Sequence, residues 1–162
     1  MRCQVPLNEI ETPLVCQASG FSPPQYPCVQ IHYDIQRQHW ITSATTRNRV
    51  EVADSLRNGS LTRSIQDQLS AKYSCLAVDG ILPVYLLPVT QQDSSVDCGV
   101  YAIASAIEFL VDNGNPLANY DIEVMQSHLI NCFESGALQP FPKCPTKIPG
   151  QQSRIIVYNI PL

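Results

Sequence analysis

In QQDSSVDCGVYAIASAIEFL, residues 91–110, a polar loop gives way at Cys98 to a run of small and apolar residues. A thiol becomes a nucleophile as thiolate, and two neighbours favour that form: the partial positive charge of a helix N-terminus and an imidazolium. Cys98 stands where the first would act, and Gly99 leaves the adjacent space open for a substrate carbonyl. Cysteine is also among the most buried residue types, so plain packing is the competing reading.

A nucleophilic cysteine needs an imidazole to take or share its proton. The three histidines differ in setting: His32 lies within a strand-like run, His128 lies within the helix-like QSHLI, and His39 opens a run beside Trp40, the single tryptophan. His39 is the candidate base, while His32 and His128 read as structural or surface residues. Orienting the imidazole takes a carboxylate or amide on a neighbouring element. Asp54 suits that role, because a hairpin turning at TTRN (45–48) brings the start of one strand beside the end of the next. Its competing reading is turn punctuation in ADSLRNGS. Acyl transfer also develops an oxyanion, which a backbone N–H at the nucleophile and a side-chain amide can stabilise. Gln91 and Gln92 both lie on the loop before Cys98, and residue type alone does not choose between them.

Regular elements must hold these positions. CVQIHY (28–33), HWITSA (39–44) and RVEVADS (49–55) are rich in β-branched and aromatic residues and are separated by the turn-like DIQRQ and TTRN, which predicts a three-stranded meander. SLTRSIQDQLSAKY (60–73) repeats Leu61, Ile65, Leu69 and Tyr73 at helical spacing behind Ser60 as N-cap. PVYLLPV (83–89) reads as a strand whose terminal prolines favour an end or edge position. From Cys98, Val100, Ile103, Ile107, Leu110 and Val111 keep helical spacing. Ala102, Ala104, Ser105 and Ala106 leave the other faces small, predicting a helix buried all round. It should stop at DNGNP (112–116) through Gly114 and Pro116. A further helix is expected over 119–133, with Ile122, Met125, Leu129 and Cys132 or Phe133 inward, and a final strand over 154–160.

A chain of 162 residues, 44% hydrophobic, closes one ordinary core. The thirteen prolines gather at its ends, so the single domain divides into an irregular arm (1–27), a core (28–133) and an extension with a last strand (134–162). The net charge of -4 and the lack of a basic run exclude nucleic acid as the main partner. Seven scattered cysteines, without a Cys-x-x-Cys pair or a cysteine–histidine cluster, point to neither a disulfide framework nor a structural zinc. No metal or other cofactor is expected. The first twenty residues lack the apolar run of a secretory signal, and no segment is long enough to span a bilayer, so a nuclear or cytoplasmic monomer is the expectation.

Taken together, QHW (38–40), VADSL (52–56) and LPVTQQDSSVDCGVYAIASA (87–106) resemble the motifs of the ubiquitin-like-protein-specific cysteine proteases. This is the Ulp/SENP family, which includes the adenovirus-type proteases. The resemblance covers about residues 29–131. It implies an α+β, papain-like fold of the adenovirus-protease type, a mixed sheet packed on a central helix that starts at the nucleophile. By the same resemblance Cys98 is the nucleophile, His39 the base, Asp54 its orienting group and Gln92, rather than Gln91, the oxyanion donor. Trp40 would wall a narrow channel for a Gly-Gly tail, while Asp97 and Gly99 would shape the turn. The implied reaction is hydrolysis of a peptide or isopeptide bond after the C-terminal glycine of a ubiquitin-like modifier, with that modifier or its conjugates as partner and no metal or cofactor. The chain departs from the better-known deSUMOylating members in having no second tryptophan ahead of His39. Its core and HLINCFESGALQPFP (128–142) are similar to protease-like domains of eukaryotic mobile elements. Two other classes compete: a module that grips a ubiquitin-like protein without cutting it, and a thiol acyltransferase.

Overall fold

The computed structural model describes residues 28–46, 49–56, 60–144 and 154–162; the arm assigned to residues 1–27 lies outside them. The expected meander forms: β1 (Val29–Asp34), β2 (His39–Thr46) and β3 (Arg49–Ala53) pair antiparallel in sequence order. After helix α1 (Arg63–Tyr73) the chain returns as β4 (Ile81–Leu86), which pairs parallel with β3, and β5 (Ile156–Pro161) pairs antiparallel with β4. The result is an α+β fold with a mixed five-stranded sheet in the order β1-β2-β3-β4-β5 and two more helices, α2 (Cys98–Leu110) and α3 (Ile122–Ser135).

Helices cover both faces of the sheet. On one, Ile65, Leu69 and Tyr73 of α1 pack on Ile41, Val50, Val52, Val84 and Ile160. On the other, the Thr42 hydroxyl donates to the Ala102 carbonyl of α2 at 2.7 Å. Successive β2 side chains therefore meet different helices, and the strand is buried almost continuously instead of every second residue. Helix α2 has no exposed residue, as its composition predicts. Its Tyr101, Ala104 and Ile107 form a second core with Tyr120, Met125 and Phe141. Among the described residues no helix is long and apolar enough to cross a membrane.

Three expectations are corrected and one open choice is resolved. β4 lies inside the sheet, not at its edge; the parallel ladder to β3 begins at Val84, one residue past Pro83, so the proline interrupts nothing there. Thr62, not Ser60, caps α1, accepting from the Ile65 N–H. Beyond α2 the left-handed residue is Asn113 (φ 59°), a type that tolerates that region. Gly114 instead supplies room, since a Cβ there would stand 1.9 Å from the Glu108 carbonyl oxygen. On α3, Cys132 is buried and Phe133 is 65% exposed, and the helix ends on left-handed Gly136, a stop signal not read from the sequence.

Candidate active site

The loop joining β1 to β2 is organised by an acid. Asp34, fully buried, accepts the Gln36 N–H at 3.0 Å and the Arg37 N–H at 3.4 Å on one oxygen, and Arg37 Nε at 2.6 Å and the Thr62 hydroxyl at 2.8 Å on the other. Gln38 then takes a left-handed conformation (φ 52°) and delivers His39 as the first residue of β2.

His39 and Asp54 are both buried, and His39 Nε2 lies 2.8 Å from Asp54 Oδ1. The same oxygen accepts the Leu56 N–H at 2.9 Å, while Asp54 Oδ2 accepts Arg37 Nη2 at 2.8 Å. Burial pushes the Asp54 carboxyl up, but the His39 hydrogen bond, the Arg37 charge and the Leu56 N–H outweigh it and hold the group below the usual carboxylate range. An ionised carboxylate only accepts, so Nε2 of His39 carries the proton and Nδ1 is the nitrogen left to exchange one. For Arg37, burial acts to lower the pKa and the charge of Asp54, with Asp34, acts to raise it; the acids prevail.

Cys98 begins α2 and is buried, with the Val100 and Tyr101 N–H groups closing the first turn on the Asp97 carbonyl. The start of α2 faces the start of β2: a Cβ added to Gly99 would touch Trp40 Cδ1 at 3.8 Å. Trp40 rests on Tyr33, ring centroids 4.7 Å apart. The Thr42–Ala102 bond fixes the same alignment one step further along both elements. Trp40 and Gly99 are thus neighbours across the two elements, and among the described residues no hydrogen bond joins His39 to Cys98.

The two glutamines separate. Gln91 Nε2 donates to the Asp54 carbonyl at 3.1 Å and the Val89 carbonyl at 3.0 Å, which uses both of its N–H bonds to brace the backbone. Gln92 Oε1 accepts the Ser55 hydroxyl at 2.7 Å and its Nε2 donates to the Ser94 carbonyl, leaving one amide N–H. Asp97 is the N-cap residue of α2, but its side chain makes no cap bond. Its carboxylate takes Gln126 Nε2 at 2.6 Å and the Ser94 hydroxyl, tying the loop to α3.

The remaining histidines hold the fold. His32, fully buried, contacts Gln68 Oε1 at 3.2 Å and Ser43 Oγ at 2.7 Å, and burial lowers its pKa to about 4. His128 Nε2 meets the Gln139 carbonyl at 3.1 Å and the Cys132 sulfur at 3.5 Å. A carbonyl only accepts, so this nitrogen carries a proton and cannot act as base toward Cys132. Sequence reasoning missed Asp34, Arg37 and Ser55, whose roles are long-range hydrogen bonds without a periodic signature. It also missed Tyr101, whose buried hydroxyl is pushed up to about 12 by burial and by Asp93 and Asp97. Among the described residues no group of three or more His, Cys, Asp or Glu could hold a metal ion.

No family model, curated protein or solved structure matches the chain.

Proposed function

We propose that this chain is a cysteine peptidase or isopeptidase of the papain-like, Ulp/SENP type, cleaving after the C-terminal glycine of a ubiquitin-like modifier, SUMO-like first. The observation that carries the reading is the buried His39–Asp54 pair at the start of β2, beside the start of α2 where Cys98 sits. In the proposed reaction the Cys98 thiolate attacks the glycyl carbonyl carbon. The oxyanion takes the Cys98 backbone N–H and the second N–H of Gln92. The tetrahedral intermediate collapses to a thioester as His39 passes the Nδ1 proton to the leaving amine. Water then gives a proton back to Nδ1 as its oxygen attacks the thioester. Collapse releases the modifier carboxylate and restores the thiolate–imidazolium pair. Trp40, next to Gly99, would border the path of the substrate tail, where glycine presents no side chain.

Two observations favour a second reading, a module that binds a modifier without cutting it: Gln92 is already engaged by Ser55 and Ser94, and among the described residues no hydrogen bond joins Cys98 to His39. Intact-mass analysis with ubiquitin and SUMO, each bearing a thiol-reactive C-terminal group, separates the two. The protease reading expects an adduct with one of them that is lost in Cys98→Ala. A folded protein that binds a modifier and forms no adduct supports the second reading, and an adduct retained in Cys98→Ala removes this thiol from the mechanism.

A further inference from the structure

Asp54 and Ser55 are consecutive, and each holds a different part of the site. Asp54 takes the imidazole of His39, and Ser55 takes the amide of Gln92. The second attachment is double, since the Gln92 backbone N–H also donates to the Ser55 carbonyl at 2.8 Å. Both residues are buried.

From this geometry we infer that Ser55 is a positioning residue that fixes the amide plane of Gln92 for oxyanion stabilisation, an inference resting on the acyl-transfer reading above. The Ser94 carbonyl can only accept, so it decides which end of the Gln92 amide carries nitrogen. The Ser55 hydroxyl, donating to Oε1, holds the other end. Two anchors define a plane, and that plane sets the direction of the remaining N–H. Donation into Oε1 also polarises the amide and strengthens that N–H as a donor. With the hydroxyl removed, the amide pivots on one bond and its oxygen can swing toward a developing negative charge. Asp54-Ser55 thus orients the base through one residue and the oxyanion donor through the next.

The test compares wild type with Ser55→Ala, a change small enough to keep the fold, in three measurements. The ¹H–¹⁵N side-chain amide signals of Gln92, assigned with Gln92→Glu, should shift and exchange faster with solvent in the variant. Unchanged signals overturn the inference whatever the activity. Alkylation of Cys98 by iodoacetamide develops no oxyanion and should proceed within about twofold of the wild-type rate. Turnover of C-terminal fluorogenic amides of ubiquitin and SUMO should lose roughly 10- to 100-fold in kcat with KM little changed, the scale of a misplaced catalytic group. Full kcat in Ser55→Ala overturns the inference, and so does an alkylation loss as large as the kcat loss, which would place the effect on the thiol. If wild type turns over neither substrate the protease reading fails, and the Gln92 signals still decide whether Ser55 positions that amide.

Discussion

The Asp54 carboxylate accepts from His39, Leu56 and Arg37, and these three together keep it ionised. A buried carboxyl facing one imidazole is pushed toward its protonated form, and a protonated Asp54 would no longer be acceptor-only toward Nε2. The His39 hydrogen bond opposes this, and Arg37 adds its charge through a fork that places Nε on Asp34, Nη2 on Asp54 and Nη1 on the Leu56 carbonyl. A lysine ammonium has the charge but cannot span three separated acceptors. Arg37→Met should therefore cost about 3 kcal/mol in urea unfolding at neutral pH, the low end for breaking a buried pair, because the guanidinium still reaches solvent. Arg37→Lys should recover less than half of that. The charge has a pH consequence with a definite sign. Arg37 helps to hold Asp54 low, so its loss raises the Asp54 pKa, and the acid-side fall in activity begins at a higher pH than in wild type. Overlapping acid limbs in wild type and Arg37→Met would show that Arg37 is only a structural tie.

At the scale of elements, α2 carries Cys98, the proposed nucleophile, at one end and meets its own exit loop at the other. The Cβ that Gly114 lacks would stand 1.9 Å from the Glu108 carbonyl oxygen, backbone that cannot turn aside. Gly114→Ala should thus cost about 1–3 kcal/mol, as overpacking does. For a domain of this size that is a drop of roughly 5 °C in melting temperature, measured by circular dichroism. An unchanged melting temperature would show that the loop yields easily. This site also marks what the sequence discloses. Glycine in DNGNP announced a helix stop, but whether it supplies torsion or space depends on a carbonyl that only the folded chain brings near. The strands β1 to β3 and the buried helix from Cys98 were legible because period and β-branching are local properties. The interior place of β4 was not, because its prolines carried an edge signal and the strand that covers it lies some seventy residues downstream. Ser60 and Thr62 are equivalent as caps by type; the structure selects the one whose hydroxyl also reaches Asp34. The pairing of His39 with Asp54 was legible from the hairpin, and the choice of Gln92 over Gln91 rested on the resemblance. The contacts of Arg37, read in a turn, and of Ser55, read at a strand end, were not legible because their partners are set by tertiary contact.

For the whole molecule, the polar cluster on the sheet face opposite α2 should govern acid stability, and His32 is its centre. Gln68 Oε1 only accepts, so His32 Nδ1 donates to it; Nε2 then accepts the Ser43 hydroxyl, which accepts from Tyr73 in turn. These bonds join β1, β2 and α1, and a proton added to Nε2 would break the chain of donors. Burial accordingly lowers the His32 pKa to about 4, from 6.5 in the unfolded chain. Above pH 6.5 the imidazole is neutral in both states and its contribution is fully present. As pH falls toward 4 the unfolded chain binds a proton that the folded one refuses, and stability declines by up to about 3 kcal/mol. The depressed carboxyl of Asp54 acts in the same direction, but its contribution is lost as pH falls through the ordinary aspartate value of 3.8, so its window lies on the acid side of that of His32. Urea midpoints should therefore fall steadily from pH 6.5 to 4 in wild type. His32→Gln, less stable at neutral pH, should show a flatter line across that interval. Parallel lines would assign the decline to the carboxylates instead. The position of this cluster matters for the site as well: it lies across the sheet from α2, so acid should weaken the fold between pH 6.5 and 4 before it protonates Asp54. A fall in activity in that interval that tracks the unfolding curve would be loss of the scaffold, and one that precedes unfolding would belong to the groups around Cys98.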